Sequence, residues 1–143
     1  MNEPTAAATA PENPHIARVV AALREKKGID IVLMDLRQVT DLLDYFLLCT
    51  GTSPQHVKVL AEEVERQLKL EHQRPLHVEG LKERRWVLLD YVDIAVHIFR
   101  RETREFYALE RLWGDAPRTV FESLPATDAV PETTSGFEFA RNN

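Results

Sequence analysis

The stretch that most constrains the fold runs from Trp86 to Phe99 and reads WVLLDYVDIAVHIF. It contains two apolar runs, 86–89 and 94–99, separated by only four residues. Runs of this length, rich in β-branched and aromatic residues, predict two buried strands. A parallel connection needs about a dozen residues or more, so these two strands must be antiparallel neighbours joined by a turn.

The remaining elements follow from apolar periodicity. Gly28 is typical of the end of a helix, and Ser53 followed by Pro54 is typical of the start of one. The pattern predicts helices over residues 14–27, 54–70 and 102–113, and further strands over 29–36, 45–50 and 76–78. Together these elements predict an α/β (α+β-like) fold, with a mixed five-stranded sheet and helices packed on it.

The two ends of the chain lack this periodicity. Residues 1–13 are rich in Pro and Ala and predict a disordered lead-in, and residues 121–143 predict a flexible acidic tail. A single domain is therefore expected over residues 14–120. The two ends also carry all of the net charge of −5, because residues 15–114 hold sixteen basic and sixteen acidic side chains and are neutral.

Charge and cysteine content narrow the classes of partner. A neutral body argues against tracking of phosphates, so no direct sequence-specific nucleic-acid binding is expected, and an acidic chain better suits a basic protein partner. The lone Cys49 cannot form an internal disulfide or a zinc cluster, which indicates a reducing, cytoplasmic setting. No apolar run approaches the ~20 residues of a membrane span, so no membrane partner is expected.

Asp90, Asp93 and His97 are the first candidates for chemistry, because carboxylates and imidazole bind metals and move protons. On one strand, Asp93 and His97 would have Cα atoms about 13 Å apart, too far to chelate one ion. An aspartate-containing turn followed by a core histidine is the favoured interpretation. We therefore expect no metal and no cofactor.

Ser53 and His56 are the second candidates, as a nucleophile and its base. The sequence specifies no third group to orient the histidine, and a capped helix start explains both residues. Gly51 opens a short turn that lacks the further glycines and the lysine of a phosphate-binding loop. No catalytic residue is assigned.

Trp86 and Leu88 should face one side of their strand, and Val87 and Leu89 the other. Both sides are apolar, yet only three helices are available to cover five strands. A strip carrying Trp86 is then either left uncovered, as an anchor for a partner, or covered by the last helix. The residues alone leave both possibilities open.

Five separated motifs resemble the ribosomal silencing factor (Iojap) family over about residues 15–115. They are DYFLLCTGTS at 44–53 with His56, VEG at 78–80, WVLLDY at 86–91, DIAVHIF at 93–99 and REFYALERLW at 104–113. The resemblance implies a nucleotidyltransferase-like fold without catalysis. It further implies binding to the large ribosomal subunit through the ribosomal protein numbered fourteen, which blocks joining of the small subunit and represses translation when nutrients fall.

The resemblance favours the uncovered strip, with Trp86, Leu88, Asp90 and the basic pair Arg84 and Arg85 as partner-binding residues. A divergent nucleotidyltransferase is the alternative function, and a homodimer through the same strip is a further possible partner.

One position departs from the family pattern. The family usually has glycine where this chain has Val92, and a valine fits badly if that turn requires a positive φ.

Overall fold

The structure, a computed structural model, describes residues 13–122, so the predicted lead-in except Asn13 and the predicted tail from residue 123 lie outside the described residues. At the two boundaries the prediction was wrong, because Asn13 is buried at the start of the first helix and Phe121 belongs to the last strand. It contains four helices among these residues: α1 (Pro14–Glu25), α2 (Pro54–Lys69), α3 (Arg101–Tyr107) and α4 (Leu109–Leu112). It contains six strands: β1 (Ile29–Asp35), β2 (Tyr45–Gly51), β3 (His77–Glu79), β4 (Trp86–Asp90), β5 (Ile94–Arg100) and β6 (Arg118–Phe121).

The strands form one mixed sheet in the order β3-β4-β5-β2-β1-β6. Strands β2 and β5 pair in parallel at its centre, and every other neighbouring pair is antiparallel. This arrangement confirms the mixed sheet and the antiparallel pairing of β4 with β5. The predicted count of five strands was wrong, because β6 adds to the edge of β1 through only four residues of alternating exposure, without a continuous apolar run.

The two faces of the sheet are covered unequally. On one face, side chains such as Leu33, Leu47 and Val96 pack in a core with the apolar sides of α1 and α2. The opposite face, called here the open face, carries Phe46, Leu48, Trp86, Leu88, Ala95, His97 and Phe99. Leu109, Trp113 and Ala116 pack against this face, and the Trp113 ring lies edge-on to Phe46 with ring centroids 6.1 Å apart.

Helix α1 is tied to the sheet at both of its ends. At its start, the Asn13 side chain accepts a hydrogen bond from the backbone N–H of His15 and donates to Asp93 Oδ2 at 3.0 Å. At its end Lys27 adopts the left-handed conformation (φ 62°), and Gly28 follows it. Glycine is needed at position 28 for space, because a Cβ atom there would lie 2.4 Å from Cys49 Sγ.

The predicted last helix is broken in two at Ala108, which has φ 46°. Buried Arg104 explains the break, because its guanidinium donates two hydrogen bonds to the Glu110 carboxylate and others to the Asp30 carbonyl and Thr50 Oγ1. In an unbroken helix, residues six apart are separated by about 9 Å along the axis and point in different directions. The prediction of this helix used Phe106, Leu109 and Trp113 as its apolar face, which was partly wrong, since Phe106 is 79% exposed.

The connection between β4 and β5 is the aspartate-containing turn that the sequence predicts. Asp90 Oδ1 accepts a hydrogen bond from the backbone N–H of Val92 at 2.9 Å. The Asp93 carbonyl accepts from the backbone N–H groups of Asp44 and Tyr45. Val92 has φ 79°, a conformation that is strained for a β-branched residue.

Replacing Val92 by glycine should stabilise the protein by about 1 kcal/mol, since relief of strain outweighs the added freedom of the unfolded chain. Urea denaturation measures this change. Val120→Gly is a matched control, because Val120 is 62% exposed against 63% for Val92 and lies in a strand without a positive φ. The control should destabilise; a loss of stability in Val92→Gly would contradict the assignment of strain.

Candidate binding surface

The β4 side chains alternate between the two faces as the sequence predicts. Val87 and Leu89 are fully buried beneath α1 and α2, whereas Trp86, Leu88 and Asp90 are half-buried on the open face. Three of the five predicted partner-binding residues are thus brought together on one side of one strand. The edge strand β3 lies beside them, and its two side chains on that face, His77 and Glu79, are polar and exposed.

Trp86 is held against the sheet by three rings. Its ring centroid lies 5.3 Å from that of Phe99, 4.8 Å from that of Tyr107 and 5.8 Å from that of His97. Its indole N–H donates to His97 Nδ1 at 2.9 Å. Helix α3 therefore contacts Trp86 through Tyr107 without covering it, an arrangement between the two alternatives that the sequence left open.

A groove of about 500 Å³ runs between the β3–β4 loop and α3, with Trp86 on its wall. Phe106 and Tyr107 line the same groove and are 79% and 52% exposed. We call Trp86, Leu88, Phe106 and Tyr107 the aromatic surface. Sequence reasoning missed the two α3 aromatics, although adjacent helical residues point about 100° apart, so one narrow packed side of a short helix covers both less readily than one.

The basic pair lies in the β3–β4 loop. Arg84 has φ 58°, and its backbone N–H and Nε donate to the carbonyls of Gly80 and Leu81, so the residue supports the loop. Arg85 is exposed and lines the groove together with Glu83 and Glu102. The positive charge of Arg85 is therefore balanced locally, and the groove is not a basic patch.

His97 is a core residue, as predicted, and is 5% exposed on the open face. Burial lowers its pKa to about 4, because the charged imidazolium would lose its hydration. The ring lies edge-on to Phe46, with centroids 4.5 Å apart. Its Nδ1 accepts the Trp86 N–H, and its Nε2 has no hydrogen-bond partner within residues 13–122, so the histidine is satisfied at only one nitrogen.

The carboxylates of Asp90 and Asp93 both make structural hydrogen bonds. Asp90 caps the turn, and Asp93 holds the start of α1 through Asn13. Within the described part of the chain, no group of three histidine, cysteine or acidic side chains is placed to hold a metal ion. The turn interpretation therefore accounts for both aspartates.

Ser53 and His56 form a capped helix start. Ser53 Oγ accepts the backbone N–H of His56 at 3.0 Å, which makes it the N-cap of α2. Both nitrogens of the His56 ring are engaged: Nδ1 accepts from the backbone N–H of Thr52, and Nε2 bonds the Lys26 carbonyl at 2.8 Å. The ring joins the end of α1 to the start of α2 and makes no hydrogen bond to the Ser53 hydroxyl.

A family model described as ribosomal silencing factor during starvation matches residues 8–141. The ribosomal silencing factor RsfS of Bacillus subtilis is 40% identical over 97 residues, which are 68% of this chain and 82% of that protein. The chain belongs to the ribosomal silencing factor family. This confirms the resemblance drawn from the five motifs, and it assigns the chain to ribosome-associated proteins that regulate translation.

Two further comparisons extend the family assignment. A crystal structure of a Chromobacterium violaceum protein matches with a TM-score of 0.69 at 31% identity, covering 77% of this chain and 92% of that one. A mouse protein named mitochondrial assembly of ribosomal large subunit protein 1 is 29% identical over 101 residues, which are 68% of this chain and 44% of the mouse protein. Among residues 13–122, no helix of this family member is long and apolar enough to cross a membrane.

The buried, neutral state of His97 should make folding sensitive to mild acid. An unfolded histidine titrates near pH 6.5 and the folded His97 near 4, so the unfolded chain binds more protons between these values and stability falls as the pH drops. We expect a loss of about 2 kcal/mol between pH 7.5 and 5 from this residue. Urea denaturation at both pH values measures it.

The variant His97→Phe should remove that part of the pH dependence. Glu63 does not add to the pH dependence between pH 7.5 and 5. Hydrogen bonds from Arg66 and Gln67 hold its pKa at about 2, so its contribution to stability is lost only as the pH falls below about 4.5. An equally steep pH dependence in His97→Phe would show that His97 is not the group responsible.

Proposed function

We propose that this protein binds the large ribosomal subunit through the ribosomal protein numbered fourteen and thereby blocks joining of the small subunit. The proposed mechanism is steric: the protein occupies a surface of the large subunit and catalyses no reaction. The name of the mouse relative also points to the large subunit. The proposal includes repression of translation when nutrients are limiting, as the description of the family suggests.

The observation that carries this proposal is the aromatic surface beside the half-buried Trp86. Exposed aromatic clusters of this kind are typical of binding sites, because they bury a large apolar area with little loss of side-chain entropy. Leu88 extends the surface along β4, and Asp90 provides a polar rim at the end of the strand. Arg84 and Arg85 stand at the other end, where Arg85 could pair with an acid or a backbone carbonyl of the partner.

Apolar contact, rather than net charge, should supply most of the affinity. The charges around the groove balance, with Arg85 beside Glu83 and Glu102. The excess acid of the chain lies towards its two ends and suits approach to a basic ribosomal protein. Binding should therefore depend strongly on the aromatic side chains and only modestly on salt.

The sheet register argues against the alternative of a nucleotidyltransferase. Such an enzyme would need the Gly51 turn and Asp90 at one site. Gly51 pairs with Arg100, whereas Asp90 pairs with Ala95, which in turn pairs with Phe46. The two groups thus stand about five residues, or roughly 16 Å, apart along the strand direction and on non-adjacent strands.

A homodimer through the aromatic surface remains our second proposal for a partner. Phe106 and Tyr107 are exposed in the single chain, and a two-fold contact would cover both. Sedimentation velocity over a range of concentrations tests it, since Phe106→Ser should shift a dimer towards monomer. A monomer at every concentration would reject the dimer and leave the ribosomal proposal untouched.

Trp86→Ala should weaken binding to large subunits by roughly 30- to 1,000-fold, the range of a hot-spot side chain. It should also cost some stability, because Trp86 is half-buried and hydrogen-bonded. Co-sedimentation is therefore measured under conditions where denaturation curves show each variant to be folded. Val87→Ala, on the covered face, should destabilise without a separate loss of binding; tight binding by folded Trp86→Ala would refute the anchor.

Phe106→Ala gives a test with little effect on folding. Because Phe106 is 79% exposed, its removal should change stability by less than about 0.5 kcal/mol while binding falls measurably. Leu70→Ala is the control, since Leu70 is 60% exposed but follows α2 on the covered side of the sheet. Equal effects of the two variants on co-sedimentation would place the binding site elsewhere.

A further inference from the structure

The imidazole of His97 lies beneath the aromatic surface, where its ring packs beside the Trp86 ring and accepts one hydrogen bond from it. On β5, His97 pairs with Leu88, so it stands diagonally across from Trp86 on the same face of the sheet. Its side chain is packed between Phe46 and Phe99, with ring centroids 4.5 and 5.8 Å away. A partner docking on Trp86 would therefore not touch His97, which is 5% exposed.

The hydrogen bond between Trp86 and His97 fixes the chemistry of both rings. The indole N–H is only a donor, so His97 Nδ1, 2.9 Å away, must be an unprotonated acceptor and the ring proton must sit on Nε2. The pKa of about 4 keeps the ring in this neutral form at neutral pH. The tautomer is thus set by Trp86.

This arrangement is unfavourable as simple core packing. His97 Nε2 is buried and has no hydrogen-bond partner within the described residues, and a buried unsatisfied polar atom costs stability. A phenylalanine at position 97 would fill a site next to Phe46 and Phe99 without that cost. What the histidine supplies and a phenylalanine does not is an acceptor for the Trp86 indole.

We propose that His97 is a positioning residue, which holds the Trp86 indole in one orientation on the sheet so that its exposed edge is ready for the partner. The role of Trp86 in binding a partner rests on the proposed function, whereas the orientation of its indole by His97 does not. Half-buried Trp86 has Tyr107 and Phe99 along its ring, and the His97 bond fixes the ring's rotation between them. Pre-ordering the side chain removes an entropic cost from binding.

The test uses three variants of the full chain: His97→Asn, His97→Gln and His97→Phe. An asparagine oxygen can occupy the place of Nδ1, whereas a glutamine places its polar end near the Nε2 position and phenylalanine has no acceptor. Binding to large subunits should follow the order wild type, Asn, then Gln and Phe. The Gln and Phe variants should lose roughly 2- to 10-fold in affinity, the effect of one side chain left unordered.

A spectroscopic readout separates positioning from stability. In ¹⁵N-labelled protein, the Trp86 indole N–H should exchange slowly with solvent in the wild type and in His97→Asn, and faster in His97→Gln and His97→Phe. The chain has two tryptophans, and Trp113 on the other part of the open face serves as internal control. Its indole exchange should be the same in all four proteins.

The outcomes are distinct. Unchanged Trp86 exchange in folded His97→Phe, or equal binding by the Asn and Gln variants, would overturn the positioning role. Loss of affinity in His97→Phe together with greater or equal stability would support it, because a merely structural histidine cannot weaken binding while the fold is intact. If wild-type protein fails to bind large subunits yet exchange rises in the Gln and Phe variants, the proposed partner is wrong and the positioning stands.

Discussion

The parallel pairing of β2 with β5 is the constraint on which the rest of the structure depends. Parallel neighbours cannot be joined by a turn, so the chain after β2 must cross the sheet, and it does so through α2. The same crossover leaves room for β3 and β4 to add as a hairpin on the far side of β5. Both long helices then lie on one face, and among residues 13–122 the short helices α3 and α4 are the ones on the opposite face.

The unequal cover explains how a stable domain can also present an apolar surface. The face beneath α1 and α2 contains a continuous core, which includes Ile16 and Ile98. No residue of the aromatic surface belongs to this core. The open-face side chains of β4, near the end of α3, can therefore serve binding without weakening that core. Arg104 is central to this division, because its bonds to Glu110 and Asp30 turn the chain at Ala108 and leave Phe106 pointing outwards.

Much of the fold could be predicted from the sequence because it depends on local pattern. The β4–β5 hairpin follows from two apolar runs with four residues between them. The strain at Val92 was suggested by the family resemblance, which has glycine there, and the structure supplies the positive φ. The break at Ala108 could not be predicted in this way. It depends on the hydrogen bonds between Arg104 and the Glu110 carboxylate, which form only in the folded chain. Strand β6 likewise forms by pairing with the edge of β1.

The candidate surface was predicted only in part, for a related reason. Alternation along β4 correctly placed Trp86 and Leu88 on one side, but it could not show that Phe106 and Tyr107 join them from another element. Nor could it show that His97 faces Trp86, since diagonal pairs across strands depend on register. The sequence pattern thus identifies β4 as a strand with two different sides, whereas the residues that lie next to Trp86 are known only from the assembled sheet.

The most direct test of the account is to map which face of the protein meets the ribosome. A photoreactive benzoylphenylalanine placed at position 106, and in a second protein at position 70, would be irradiated with purified large subunits and the products identified by mass spectrometry. The account predicts crosslinks from position 106 to the ribosomal protein numbered fourteen and few from position 70. Crosslinks chiefly from position 70, or from position 106 to a different ribosomal component, would contradict it.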